Sequence, residues 1–318
     1  MPGSVHSVVL SLAIAAASGL AGHARADDAL LRDHPLVDTI IATDTGAALD
    51  RDALVERLAA ADLVLLGEKH DNQRHHALQA ALVEALGARR TLDVVAFEML
   101  TAERQTHADA LGRGALDLAG FAEAVDWPGS GWPSWAWYEP VFAAAVDADA
   151  AIVAANLSGA QIEQIYQAGL SSQDAAWLAR TGLDVPLDAG LHDALVAEII
   201  DAHCGHDLGE RAEAMVAIQR ARDAALASHL SDARDDGIGV LVAGNGHVRR
   251  DRGVPAYLET LAPGADVVSL GLVEVSQDWQ QVPDFGAVYD YVWLTARARP
   301  ETYDYCADMA AFAVDERS

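Results

Sequence analysis

Residues 63–71, Leu-Val-Leu-Leu-Gly-Glu-Lys-His-Asp, run four aliphatic side chains into a glycine and then into Glu68, His70 and Asp71, with His75 and His76 close behind. A carboxylate among imidazoles can move protons near neutral pH, hold a divalent ion or ligate a haem iron. Residues of the same kinds recur after later apolar runs. Glu98 follows Val94-Val95-Ala96-Phe97, and Asn156 and Ser158 follow the run at 151–155. Asn245 and His247 stand in Gly244-Asn245-Gly246-His247 after the run at 238–243, where glycine lets backbone approach a ligand closely.

These placements acquire meaning once the apolar runs are read as strands. Strands are expected at 62–67, 93–98, 151–156, 238–243, 267–275 and 289–295, several apolar throughout, as strands buried on both faces must be. Segments of helical period alternate with them, near 101–111, 139–148, 159–168 and 253–261. A further helix starts after Asp71 or Asn72 as N-cap and runs to Leu86 before Gly87. The pattern predicts an α/β fold with a central, mostly parallel sheet flanked by helices. A helical stretch at 188–232, broken at His203-Cys204-Gly205-His206, forms an insertion between the third and fourth of these strands. It serves either as a lid over the sheet edge or as a second layer with no role in ligand binding. No repeat or linker divides the chain, so residues 27–318 are expected to form a single domain.

Ligands of such sheets bind outside the carboxyl ends of the strands. Glu68, His70, Glu98 and His247 therefore converge on one rim from remote parts of the sequence. In extended chain Glu68 and His70 point one way and Lys69 the other. Lys69 is the only lysine among 21 basic residues and reads as a surface side chain. His75 and His76 lie about 100° apart on a helix, so at most one faces the crevice and the other is structural.

Other segments could contribute. Residues 126–140 hold four of the seven Trp together with Tyr138 and three prolines. Such a loop suits a flat apolar ligand, with Tyr138 a candidate axial ligand, or simply folds onto the core. Gln219, Arg222 and Asp223 share a helix, and an inward Arg222 would bind a carboxylate or propionate. His203 and His206 flank Cys204, but a single Cys does not make a covalent haem-attachment motif, and Gly205 points to a helix end. Cys204 and Cys306 could pair in an oxidising compartment, with a stabilisation on the order of 4–5 kcal/mol in the loop-entropy picture.

Composition narrows the function classes. A net charge of −27 repels phosphate backbones and anionic lipid heads, so nucleic-acid and membrane-surface binding are poor fits, whereas cations and cationic macrocycles are favoured on encounter. Residues 1–26 carry a short apolar run ending in Ala24-Arg25-Ala26, the pattern of a signal-peptidase site. A periplasmic or secreted protein starting near Asp27 is the expectation. No Cys follows the run, which argues against a lipid anchor.

Taken together, Gly67-Glu68-x-His70-Asp71 with His75-His76, Phe97-Glu98-Met99, the Trp-rich loop ending Tyr138-x-Pro140, Gln219-x-x-Arg222-Asp223 and Gly244-Asn245-Gly246-His247 before Gly253-Val254-Pro255 resemble the ChaN-like haem-binding uptake family. That family is similar to the wider Tiki, TraB and erythromycin-esterase-like superfamily. The resemblance spans residues 35 to 295. It implies an exported haem-binding protein, a homodimer bringing two haems together, and an outer-membrane iron or haem uptake system as partner. His70, His75, His76, Tyr138 and His247 are then the candidate iron ligands, and Arg222 or the Arg249-Arg250-Arg252 cluster would meet the propionates. The rival expectation is a metal-dependent hydrolase in which Glu68, His70, Glu98 and His247 hold Zn, Mn or Co or act as acid and base.

Overall fold

The computed structural model describes residues 30–307; the expected signal peptide at 1–26 lies outside them. Eight strands form one sheet: β1 Ile40–Ala42, β2 Ala48–Leu49, β3 Leu63–Glu68, β4 Leu92–Thr101, β5 Ala151–Asn156, β6 Ile238–Gly244, β7 Val267–Glu274 and β8 Tyr291–Thr295. Their order is β2-β1-β8-β7-β3-β6-β4-β5. The strands from β8 to β5 run parallel, and β1 and β2 add an antiparallel edge. This is the expected α/β architecture, with every predicted strand present within a few residues. The two-strand edge was not anticipated, because runs of two and three residues carry no readable period.

Alternate side chains of the central strands feed two cores. Val64, Leu66, Val95 and Phe97 point to one face, and Leu63, Leu65, Val94 and Ala96 to the other. The first face is covered by α1 Arg51–Ala60, α2 Gln73–Gly87, α3 Gln105–Gly112, α4 Leu118–Ala124 and α5 Trp135–Asp147. The second is covered by α6 Gly159–Ala168, α7 Ala175–Thr181, α9 Glu210–Ala233 and α10 Val254–Leu261, with α8 Ala189–Ala202 packed against α9. Asn72 caps α2, its side chain accepting from Arg74 N, and Ser158 caps α6 through a reciprocal capping box with Gln161.

The stretch at 188–232 divides into two parts. The C-terminal half of α9 buries Ala221, Ala224, Ala225 and Ala227, small residues that seat the helix close on β4 and β5, so it is a regular layer of the fold. α8 and the N-terminal half of α9, as far as Asp223, form a wall above the rim, joined by Ile162 of α6. The stretch is thus partly a layer of the fold and partly a wall of the cavity, and Arg222 and Asp223 stand where the two meet.

Close approach of the strand ends depends on two glycines. A Cβ at Gly67 would lie 2.3 Å from Asn245 Oδ1, and one at Gly244 would lie 3.0 Å from the His70 ring. Asn245 locks the rim, donating through Nδ2 to Leu272 O at 2.6 Å while its own backbone N donates to Glu68 O at 2.8 Å.

Candidate functional site

Glu68, the last residue of β3, is buried, and each of its oxygens meets a partner. Oε1 accepts from His70 Nδ1 at 2.7 Å and from Tyr138 Oη at 2.8 Å, and Oε2 lies 2.8 Å from His76 Nδ1. Burial alone would raise this carboxyl, but the His70 and His76 bonds outweigh it and hold it down at about 2. The same-side expectation for Glu68 and His70 is met.

His70 is the rim imidazole left accessible. With its side chain 39% exposed and Nδ1 committed to Glu68, it keeps Nε2 without a protein partner among the described residues. Burial opposes its charge, yet the Glu68 bond and the Glu98 charge prevail and raise its pKa. Trp132 sets its ring edge-on at 4.9 Å.

Glu98 and His247 form a second, deeper cluster. Glu98 Oε2 accepts from Gly244 N at 2.7 Å, and Oε1 lies 3.2 Å from His247 Nε2. On the other side of the ring, Asp223 Oδ1 lies 2.6 Å from His247 Nδ1. Burial disfavours an imidazolium, but carboxylates facing both nitrogens push His247 up to about 10, while the Glu98 carboxyl, despite its burial, is held far below the ordinary range by that imidazolium. Burial raises Asp223 to about 6.

Several expected ligands lie elsewhere. His75 is fully enclosed: Nδ1 accepts from Lys69 N and Nε2 donates to Thr295 Oγ1, both at 2.8 Å, and burial lowers its pKa to about 3. His76 is enclosed too, Nε2 donating to His70 O at 3.0 Å. Both adjacent imidazoles are thus structural in this arrangement, because the helix start folds under the rim. Tyr138 is buried with its hydroxyl spent on Glu68, so it supports the site from behind. The Trp-rich segment packs against the first core, with Trp127 against Trp135 and Trp135 against Phe142, and does not wall the cavity described next; Trp132 alone reaches His70. Asn156 and Ser158 serve backbone: Asn156 donates to Glu98 O, and Ser158 caps α6.

A cavity of about 1120 Å³ opens at the strand ends beneath α8 and α9. It is slightly larger than most ligand sites, which commonly run about 300–1,000 Å³. Its apolar walls include Leu195, Ile199, Met215 and Ile218 from the helices and Leu272 from β7. Lys69, His70, His203, Arg222, His247 and Arg252 also line it. Lys69 is not turned away, because β3 ends at Glu68 and alternation ends with it; its Nζ lies 2.9 Å from Glu274. Arg252 is paired with Glu198, and Arg249 and Arg250 pair with Asp251 and Asp290 outside the cavity. Arg222 differs: its side chain lines the cavity, and its Nε is buried without a hydrogen-bond partner. A groove of about 720 Å³ between α2 and α5 is lined largely by alanine and lies away from these groups.

Residues 54–258 match the family described as "Haem-binding uptake, Tiki superfamily, ChaN". The chain belongs to this family. Among solved structures, the one of cofacial haem binding to ChaN of Campylobacter jejuni shares 22% identity over 80% of this chain and 95% of that one, with a TM-score of 0.63. This ChaN-family chain therefore has the ChaN fold. An erythromycin esterase, EreC, in its open conformation matches at 11% identity over 83% and 82% of the two chains, with a TM-score of 0.40. No curated protein matches.

The metal-dependent hydrolase is not favoured. Among the described residues no group of three or more His, Cys, Asp and Glu is disposed to hold a metal ion. The physical reason is that the expected ligands face one another: Glu68 meets three side chains, and His247 spends both nitrogens on carboxylates.

Proposed function

We propose that this ChaN-family chain binds haem in the cavity at the strand ends, with His70 Nε2 as an axial ligand and Arg222 meeting a propionate. The observation that carries the reading is His70 itself. A metal-bound imidazole characteristically donates its other N–H to a carboxylate, and Glu68 takes that proton at 2.7 Å while Nε2 remains open. The cavity suits the group: its walls are largely apolar, and the Arg222 guanidinium among its lining residues supplies charge for a carboxylate. Haem would contribute an iron with open axial positions. The protein would contribute ligand orientation, apolar enclosure and charge compensation.

Export, a role in iron uptake, pairing of two chains around two haems and delivery to an outer-membrane system belong to the same proposal and are supported by the family resemblance. Titrating haemin into the purified, metal-stripped protein should shift the Soret band saturably near one haem per chain. The His70→Ala variant should lose most of that shift, and retention of the wild-type spectrum would reject His70 as ligand. Sedimentation with and without haem tests the pairing.

A further inference from the structure

We infer that Cys204 and Cys306 form a thiol-controlled clasp on the helical wall, so that a dithiol acting on their disulfide frees α8 and lets the cavity exchange its ligand. That haem is the ligand exchanged rests on the haem reading above; the clasp itself does not depend on it.

α8 covers the cavity without being a layer of the core. Its cavity-facing residues, Leu195, Glu198, Ile199, Ala202 and the C-cap His203, recur at helical spacing, so one face of the helix looks onto the cavity. Of its 14 residues only Leu195 is buried. The helix therefore lacks the apolar contact that seats α9 on the sheet, and elements packed so sparsely open at low free-energy cost.

The two ends of α8 are held differently. Ahead of it, Leu183 is buried and Arg220 of α9 donates to the carbonyls of Leu183 and Val185, which anchors the approach to the helix. Beyond it, the chain turns through left-handed backbone at Cys204, Gly205 and Gly209, with φ of 63°, 68° and 53°, before α9 begins. Along the helix the ties are ion pairs, Glu198 with Arg252 and His192 with Glu213. Both carboxylates are more than half exposed, and such pairs hold weakly.

The tie at the far end is covalent. Cys204 is bonded to Cys306, with Cα atoms 5.7 Å apart. The residue before Cys306 is fastened to the rim: Tyr305 Oη donates to Asp71 Oδ2 at 2.7 Å and accepts from Lys69 Nζ at 2.7 Å. The disulfide thus pins the end of the wall to the loop that follows β3. Cys306 is exposed and Cys204 half-buried, which leaves the bridge within reach of an attacking thiolate. One thiolate of the dithiol attacks Cys306 Sγ, the S–S bond breaks, and Cys204 leaves as a thiolate that takes up a proton. The second thiol then displaces Cys306 as a thiol; the dithiol is oxidised to a disulfide as both cysteines are reduced.

Hydrogen exchange of the haem-free full chain, with and without dithiothreitol, tests the clasp. Residues 189–202 should exchange at least about tenfold faster once reduced, at times too short for β3 and β6 to label. The Cys204→Ser/Cys306→Ser variant should show the faster rate with or without the dithiol. Haemin uptake by this variant, and haemin loss from it to excess apomyoglobin, should each be at least about fivefold faster than in the wild type, because a gate speeds both directions. Unchanged exchange in 189–202 on reduction, or equally faster exchange throughout β3 and β6, would overturn the clasp and leave haem binding standing. So would a variant that loses haemin faster but takes it up no faster, the mark of weakened contacts alone. No saturable Soret shift in either protein would overturn the haem reading, while hydrogen exchange would still decide the clasp.

Discussion

Glu68 shows how a single side chain can be indispensable to a site without facing its ligand. It gathers His70, His76 and Tyr138, so Glu68→Ala strips a partner from three polar groups, two of them fully buried. Removing one side of a buried ion pair typically costs about 3–5 kcal/mol. We expect a loss of that order in urea unfolding, together with weakened haem binding. An unchanged unfolding midpoint would mean that the three partners find other bonds. His247 gives a pH signature. Its pKa rises from 6.5 to about 10 on folding, so its contribution is complete below about pH 6.5 and disappears as the pH climbs through about 10. Glu68, lowered from 4.5 to about 2, acts in the opposite sense: its contribution is full above about pH 4.5 and is lost as the pH falls through about 2. Thermal unfolding should therefore show a midpoint that declines between about pH 6.5 and 10, with a flatter decline in His247→Gln. Equal slopes in the two proteins would contradict a buried imidazolium at this position.

At the scale of elements, the strand ends set what the side chains can do. β3 and β6 pair in register up to Glu68 and Gly244, which brings the His70 ring against a residue with no side chain. A Cβ at Gly244 would sit 3.0 Å from His70 Nε2 and Cε1. Gly244→Ala should thus displace the imidazole and weaken haem binding. Its effect on stability should stay within about 1 kcal/mol, because the alanine also restricts the unfolded chain. Parallel measurement of haem affinity and unfolding midpoint separates the two effects; a variant that binds haem normally would show that the ring does not need this space.

The whole molecule is closed by a covalent link between its helical wall and its C-terminal segment. Cys204 and Cys306 are 102 residues apart in sequence, and a loop of that size corresponds to about 4–5 kcal/mol in the chain-entropy picture. The Cys204→Ser/Cys306→Ser double variant should lose stability of that order under non-oxidising and oxidising conditions alike, and reductant should bring the wild type down to the same level. A wild type indifferent to reductant would argue that the link adds nothing to the folded state.

How much of this was legible without coordinates follows from the range of the forces involved. Strand positions, the cap at Asn72 and the convergence of Glu68, His70, Glu98 and His247 could be read from local period and from the rule that loops leaving parallel strands share an edge. The motifs at these strand ends also carried the family. The sequence could not distinguish an imidazole facing a cavity from one facing a neighbour, since His70, His75 and His76 are alike in type and nearly adjacent. Tyr138 and the tryptophans looked equally suited to a ligand and to a core; Tyr138 and Trp127 lie in the first core, and Trp132 reaches the rim at His70. His203 gave a weak local signal and owes its place to a turn, a disulfide and a helix that meet only in three dimensions. Residue type and periodicity are properties of the chain and determined the fold and the inventory of the site. Which nitrogen remains free depends on how the chain turns after the strand end and on partners brought from other elements, such as Thr295 for His75 and Asp223 for His247, and tertiary structure alone decided that.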